Sequence, residues 1–238
     1  MTLITTFIAV KRVIILFSLL SLHCLLKAQE NRFNVKLDKF CRSAIQSFKT
    51  ISPERKRMLD NIARNLADKR YVVFVCNTNS RRTQLLQVWA QTAFYYYGLY
   101  DKHAFSFGDT IIPVHPRVAW VLEQAGFYVN NLISVDPNGY MISSSTEFPQ
   151  NVLSSKNDVG TIDTTIGLVV NICTAVEESE STIGKSGIHL PYQSPIPAEN
   201  TILEKDKYRH LNHQIAVEML YLGARTRELA LQHKLIRF

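Results

Sequence analysis

The chain has 238 residues, of which 46% are hydrophobic and 20% are charged, a balance that suits one globular domain rather than a disordered chain. Nine Gly and eight Pro exclude a collagen-like or low-complexity chain, and four Cys exclude a scaffold that depends mainly on disulfides. The formal charge of +7 is spread without a basic tract, so the composition does not favour a nucleic-acid partner.

The N-terminal segment, residues 1–28, has the composition of a targeting signal. Lys11 and Arg12 precede an apolar run over residues 13–26, and a small residue, Ala28, follows. A basic start, a short apolar centre and a small residue at the exit are typical of a secretory signal peptide. The sequence therefore predicts an exported or periplasmic protein. The alternative is a retained membrane anchor, and contact with a membrane is expected only in that case.

Residues 29–70 are predicted to form a helical extension with two helices between residues 34 and 68. Ser52 followed by Pro53 is typical of a helix N-cap and first turn. Cys41 is expected in the core. The apolar residues at helical spacing are Leu37, Phe40, Ala44, Ile45, Phe48, Met58, Ile62 and Leu66. The charged residues between them are interpreted as a solvated outer face, and they are Lys36, Asp38, Lys39, Glu54, Arg55, Lys56 and Arg57.

From Tyr71 onward the sequence alternates between strand-like and helical segments, which indicates a doubly wound α/β domain over residues 71–238. The predicted strands of a four-stranded parallel sheet are 71–76, 104–107, a run near 128–135, and 168–173. Residues 140–142 are predicted as a hairpin strand inside a polar excursion. In such sheets ligands bind at the carboxyl ends of the strands.

Cys76 ends the first predicted strand, and a short polar loop leads from it into a helix. The N-terminus of a helix directs unpaired N–H groups and the positive end of its dipole at this loop, which favours an oxyanion. Arg82, six residues after Cys76, can bind two oxygens of a phosphoryl group. Both influences favour the thiolate, which is the nucleophilic form of cysteine. Cys76 and Arg82 are therefore the candidate catalytic residues.

The remaining residues of the loop are candidates for binding phosphate. Asn79 tolerates the left-handed backbone that an anion cradle often needs. Thr83 is expected to donate its hydroxyl to the sulfur of Cys76. The complete candidate phosphate-binding set is Asn77, Thr78, Asn79, Ser80, Arg81 and Thr83.

The stretch from Val73 to Thr83, VFVCNTNSRRT, resembles the signature of the low-molecular-weight protein tyrosine phosphatases and the thioredoxin-coupled arsenate reductases, two families of one fold. Their pattern is Cys, two variable residues, Asn, two more, Arg, and Ser or Thr. The stretch 105–108 followed by His115-Pro116-Arg117 resembles their second strand, turn and helix. A bacterial subgroup of arsenate-reductase-like phosphatases also has an Arg before the signature Arg, as Arg81 is here.

This resemblance covers about residues 71–232 and implies a phosphotyrosine protein phosphatase I-like, flavodoxin-like fold, in which helices flank a four-stranded parallel sheet. It implies hydrolysis of a phosphomonoester through a phosphocysteine intermediate. The expected partners are a phosphorylated small molecule or a phosphotyrosine protein, and a phosphate- or arsenate-type oxyanion. Neither a cofactor nor a metal is expected.

The general acid departs from the family pattern. The phosphatases have an Asp-Pro pair before the last helix, and this chain has Ser194-Pro195. Serine does not supply a proton near neutral pH, so the general acid is unidentified, and Glu199, His189 and Asp206 are its candidates. A catalytically weak phosphate- or phosphopeptide-binding module is one alternative function.

Arsenate reduction is the other alternative. Reductases of this fold use a cysteine at the end of a later strand, which Cys173 matches, and a second one about seven residues on, where this chain has Glu180. Cys173 is therefore a candidate redox residue, although a buried apolar thiol is the favoured interpretation. Export would bring the thiolate of Cys76 into an oxidising compartment, and our hypothesis is that Cys76 stays mostly reduced there.

His210 and His213 are three residues apart on a predicted helix. Without a third ligand they are interpreted as a surface pair rather than a metal site.

Overall fold

A computed structural model describes residues 33–110, 112–131, 139–145, 149–153, 163, 165–174 and 187–236. The predicted signal segment, residues 1–28, lies outside the described residues, as does Glu180. Among the described residues, no helix combines the length and the apolar character needed to cross a lipid bilayer.

The helical extension contains the two predicted helices. They are α1 (Val35–Gln46) and α2 (Pro53–Ala67), joined by a 3-10 turn (Ser47–Thr50). Ser52 caps α2 as predicted, because its side chain accepts a hydrogen bond from the Arg55 N–H. In chain order the other described elements are β1 (Tyr71–Thr78), α3 (Arg82–Tyr96), β2 (His103–Thr110), α4 (Pro116–Ala125), β3 (Tyr128–Asn131), β4 (Gly139–Ser143), β5 (Pro149–Leu153), β6 (Gly167–Asn171), β7 (Ile188–His189), a 3-10 turn (Ile196–Ala198) and α5 (Glu204–Ile236).

The central sheet has four parallel strands in the order β2-β1-β6-β7. The predicted fold class, a four-stranded parallel sheet flanked by helices with an N-terminal helical extension, is confirmed. Side chains alternate between the two faces of β1. Phe74 lies in the main core with Val170, whereas Val73, Val75 and Val169 form a smaller cluster on the opposite face.

The prediction that a strand near residues 128–135 joins the parallel sheet is wrong. That stretch contributes β3, which pairs antiparallel with β4, and β4 pairs antiparallel with β5 in a separate three-stranded sheet. A strand inside a parallel sheet must bury both faces, but Tyr128 is 52% exposed and two Asn end β3. The fourth parallel strand is instead Ile188–His189. The predicted strand at residues 140–142 is confirmed within β4.

The extension packs into the same hydrophobic core as the sheet. Cys41 is fully buried in that core beside residues of α3 and α5, as expected. Burial, with a smaller contribution from Asp38, raises the pKa of the Cys41 thiol to about 12. Lys102 is also buried, and its ammonium group donates to the carbonyl oxygens of Leu66, Ala67 and Lys69 at 2.7–3.0 Å. These bonds satisfy carbonyls at the C-terminal end of α2.

The interpretation of Arg55 as part of a solvated outer face is wrong. Its side chain is only 15% exposed, and it forms an ion pair at 2.8 Å with Glu218 of α5, whose side chain is 5% exposed. The helical spacing in α2 predicts which residues face the core. It does not show that α5 packs against the side of the helix that contains Arg55.

Candidate functional site

The structure brings Cys76 and Arg82 together. Cys76 lies in β1 two residues before its end, and Arg82 is the first residue of α3. Both are buried, with 2% and 8% of their surface exposed. The Nη2 atom of Arg82 lies 3.6 Å from the Cys76 sulfur, and its Nη1 atom donates to the backbone carbonyl of Tyr192 at 2.6 Å. The guanidinium group therefore lies between the sulfur and the chain that follows β7.

Cys76 and Cys173 form a disulfide, with their Cα atoms 5.3 Å apart. The pairing follows from the sheet: β1 and β6 are neighbours, Val75 aligns with Asn171, and the Ile172 N–H donates to the Val75 carbonyl. The favoured interpretation of Cys173 as a free apolar thiol is therefore wrong. Cys76 is oxidised in this structure, and its redox state in an exported protein stays a prediction.

Asn79 anchors the loop through its amide group, not through an unusual backbone conformation. It is fully buried, its Nδ2 donates to the Ser106 carbonyl at 2.8 Å, and its Oδ1 accepts from the Thr83 hydroxyl at 2.8 Å. Among the described residues Asn200 is the only non-glycine with a positive φ, so the expected left-handed backbone at Asn79 is wrong. The Thr83 hydroxyl donates to Asn79 here, in place of the predicted bond to sulfur.

The rest of the loop packs closely on β2 and on the chain before α4. Ser80 donates through its hydroxyl to the Pro113 carbonyl at 2.5 Å, and its carbonyl accepts from the His115 N–H at 3.0 Å. Thr78 belongs to β1 and aligns with Thr110 of β2. The side chain of Asn77 places its Oδ1 3.3 Å from the Cys173 sulfur. A Cβ at Gly108 would lie 2.5 Å from the Asn79 nitrogen, so only glycine permits this approach.

Arg81 is directed at a carboxylate. Its Nε and Nη2 atoms donate to the two oxygens of Glu199 at 2.6 and 2.9 Å, and the Tyr208 hydroxyl donates to the same carboxylate at 2.6 Å. Burial acts to raise the pKa of Glu199, but the hydrogen bonds from Arg81 and Tyr208 outweigh it and lower this pKa. His115 stacks on Tyr208, and burial lowers the pKa of its imidazole. An ionised Glu199 cannot donate a proton at neutral pH.

Ser194 and the other candidates for the general acid, Asp206 and His189, have different surroundings. Ser194 accepts a hydrogen bond from the Ile196 N–H at 3.4 Å. Asp206 is exposed and pairs with Arg209 at 2.7 Å, and His189 is exposed in β7. Ser194 is two residues from Tyr192, whose carbonyl contacts Arg82, so the Ser194 segment adjoins the candidate site.

Tyr192 and Glu218 were not predicted from the sequence. Tyr192 is 2% exposed, and its hydroxyl donates to Glu218 at 2.5 Å. A signal was present in α5, because Glu218 is the one acidic residue in the otherwise apolar run 215–220, and a carboxylate at such a position requires a buried partner.

His210 and His213 are both exposed, as predicted. They line a cavity of about 450 Å³ together with Arg55 and Glu218. Burial, and then the neighbouring His210, lowers the pKa of His213.

No protein-family model matches the sequence. No curated protein matches it. Among solved structures, the crystal structure of a YwlE mutant from Bacillus subtilis is similar with 14% sequence identity and a TM-score of 0.41, over 70% of this chain and 99% of that chain.

Proposed function

We propose that the reduced protein is a cysteine-dependent phosphomonoester hydrolase of the low-molecular-weight phosphatase type, with Cys76 as nucleophile. The observation that supports this most strongly is the 3.6 Å distance between the Arg82 guanidinium and the Cys76 sulfur at the start of α3. A cation and a helix N-terminus at the sulfur stabilise a thiolate and also bind a tetrahedral dianion. The substrate class is a phosphorylated small molecule or a phosphotyrosine protein in an exported or periplasmic setting.

In the first step the Cys76 thiolate attacks phosphorus, so an S–P bond forms and the P–O bond to the leaving group breaks. Arg82 and the N–H groups of the loop bind the phosphoryl oxygens and stabilise the charge that spreads over them. Water then attacks phosphorus, the S–P bond breaks, and inorganic phosphate and the thiolate are released. Positioned acid catalysis contributes about 10²- to 10⁴-fold. With Ser194 in the acid segment, turnover is expected mainly for aryl phosphates, whose leaving oxygen needs little protonation.

Hydrolysis also requires that the Cys76–Cys173 disulfide is first reduced. Cys76 has no thiolate while it is bonded to Cys173, so two electrons from an external dithiol must reduce this bond before the first turnover.

The same disulfide favours a second function, the reduction of arsenate. The Cys76 thiolate would displace hydroxide from arsenate and form an S–As bond. The Cys173 thiolate would then attack the Cys76 sulfur, so that the S–As electron pair leaves with arsenite and the Cys76–Cys173 disulfide forms. An external dithiol would reduce the disulfide and return both thiols. Residue 180 is Glu where the family's reductases have a further cysteine, so their next relay step would not occur.

The test compares the reduced full chain with three variants. Under the hydrolase proposal, Cys76→Ser abolishes hydrolysis of para-nitrophenyl phosphate and retains phosphate binding, Arg82→Ala loses both, and Cys173→Ser retains hydrolysis. Under the reductase alternative, arsenate turnover consumes thiol and requires Cys173. Hydrolysis that persists in Cys76→Ser would contradict the mechanism. Phosphate or vanadate binding without turnover of any aryl phosphate would select the binding module.

A further inference from the structure

Tyr192 connects the candidate site to α5 and, through Arg55, to α2. Its backbone N–H donates to the Ile172 carbonyl, next to Cys173, at 3.2 Å, and its carbonyl accepts from Arg82 at 2.6 Å. Its hydroxyl donates to Glu218. The main chain of this residue therefore touches the site while its side chain points to α5.

Arg55 completes the connection from the helical extension. Its Nε and Nη2 atoms donate to Glu218 Oε2 at 2.9 and 2.8 Å, and its Nη1 atom donates to the Pro191 carbonyl at 3.0 Å. Its Cζ atom lies 4.4 Å from the centre of the Tyr192 ring. The guanidinium group of Arg55 thus bonds to Pro191, packs on the ring of Tyr192 and pairs with Glu218, the carboxylate that the Tyr192 hydroxyl contacts.

Burial makes this arrangement rigid. The side chain of Glu218 is 5% exposed, and its other oxygen accepts from Gln214 at 3.0 Å. A buried carboxylate with bonds from an arginine, a phenol and an amide has one favourable arrangement, since any displacement leaves a charge unpaired. Burial, and then Glu218, raises the pKa of Tyr192, so its hydroxyl keeps the proton that it donates.

We infer that Arg55 and Glu218 are positioning residues for Arg82, acting through the Tyr192 main chain, and that the helical extension thereby forms part of the oxyanion site. This inference rests on the proposed function. Arg82 must place two N–H groups toward phosphoryl oxygens, and the Tyr192 carbonyl fixes the orientation of its guanidinium. A displacement of about 1 Å in a catalytic group costs on the order of 10²-fold in rate.

The test measures inorganic phosphate binding by calorimetry and hydrolysis of para-nitrophenyl phosphate, both on the reduced full chain. The variants are Arg55→Gln and Tyr192→Phe, and the control is Asp60→Asn, which removes a carboxylate that pairs with Arg225 between the same two helices. Measurements are made well below the melting temperature of every variant, so that lost stability does not appear as lost affinity.

We expect Arg55→Gln to raise the Kd for phosphate and lower kcat by roughly 10- to 100-fold. Tyr192→Phe acts in the same direction with a smaller effect, and Asp60→Asn changes neither quantity. If Arg55→Gln does not fold, Tyr192→Phe alone decides the matter. Variants that bind phosphate and turn over as Asp60→Asn does would overturn the inference.

The design separates the two proposals. If the wild-type chain binds phosphate but hydrolyses no aryl phosphate, the proposed hydrolase function fails while the Kd values still test the positioning residues. If the wild-type chain hydrolyses the aryl phosphate and the variants match it, the inference alone fails. A wild-type chain that neither binds nor hydrolyses overturns both.

Discussion

Two clusters of the same composition join α2 to α5. In one, which we call the loop cluster, Arg55 and Tyr192 contact Glu218. In the other, the helix cluster, Arg225 donates to Asp60 at 3.0 Å and the Tyr221 hydroxyl donates to the same oxygen at 3.0 Å. Each is an arginine and a tyrosine on one carboxylate.

Their surroundings differ. In the loop cluster the paired side chains are 15% and 5% exposed, and in the helix cluster they are 32% and 26% exposed. The tyrosine of the helix cluster belongs to α5 itself, whereas Tyr192 belongs to the loop that contacts Arg82. Solvent screens the charges of exposed groups, and an unpaired group that reaches water loses little free energy. The same three residue types therefore contribute differently to the free energy of unfolding in the two clusters.

The largest expected difference concerns removal of each carboxylate. Glu218→Ala leaves Arg55 buried without a carboxylate to balance its charge, and we expect a loss of about 3–5 kcal/mol in the free energy of unfolding. Asp60→Ala leaves Arg225 able to reach water, and we expect about 1 kcal/mol or less. Urea denaturation of both variants measures the difference. Equal losses would show that burial does not distinguish the clusters.

The second prediction concerns the disulfide, which lies next to the hydrogen bond between Ile172 and the loop that contains Tyr192. The Cys76–Cys173 disulfide closes a segment with a sequence separation of 97 residues, and Cys173 adjoins Ile172, whose carbonyl bonds to Tyr192. We expect Cys173→Ser to cost about 2–4 kcal/mol under oxidising conditions. Under reducing conditions the variant and the wild type should unfold at nearly the same urea concentration, and a persistent gap would indicate packing rather than the covalent bond.

The third prediction compares the two tyrosines directly. Tyr192→Phe removes a buried hydroxyl that donates to a carboxylate, a type of hydrogen bond that contributes about 1.5–3 kcal/mol. Tyr221→Phe removes the equivalent bond at a partly exposed carboxylate, and we expect about 0.5 kcal/mol or less, as is usual near a protein surface. Thermal denaturation of the pair gives the ratio. A larger effect at Tyr221 would reverse the assignment of the loop cluster as the rigid one.

The sequence was sufficient to predict the part of the site that lies in one strand–loop–helix unit. Cys76 and Arg82 are six residues apart, and the change from a strand pattern to a helix pattern between them determines that the sulfur lies near the helix N-terminus. The predicted contacts within the loop were less accurate. The Thr83 hydroxyl donates to the buried amide oxygen of Asn79, and the strand and helix patterns of the sequence do not determine which acceptor a side chain in the loop uses.

Contacts between distant parts of the chain were not predictable in this way. Cys173 pairs with Cys76 because β6 lies beside β1, and the two-residue strand β7 is too short to produce an alternating pattern. Arg55 and Glu218 are 163 residues apart. Their side chains look like surface residues until the packing of α2 on α5 is known, although a lone acid in an apolar run already indicated a buried partner.

A third cluster of the same composition gives the smallest and most specific prediction. Arg81 and Tyr208 donate to Glu199 and lower its pKa, so this carboxylate loses its proton more readily in the folded chain than in the unfolded one. Its contribution is present above the ordinary glutamate pKa of about 4.3 and is lost as pH falls through the lower folded value. The stability difference between wild type and Glu199→Gln should therefore shrink as the pH falls below about 5, where the neighbouring His115 no longer changes charge. Asp60→Asn, measured as a reference in the same pH series, corrects for the general effect of acid. A difference that grows as the pH falls below about 5 would contradict the direction of the pKa shift and would restore Glu199 as a residue able to carry the missing proton.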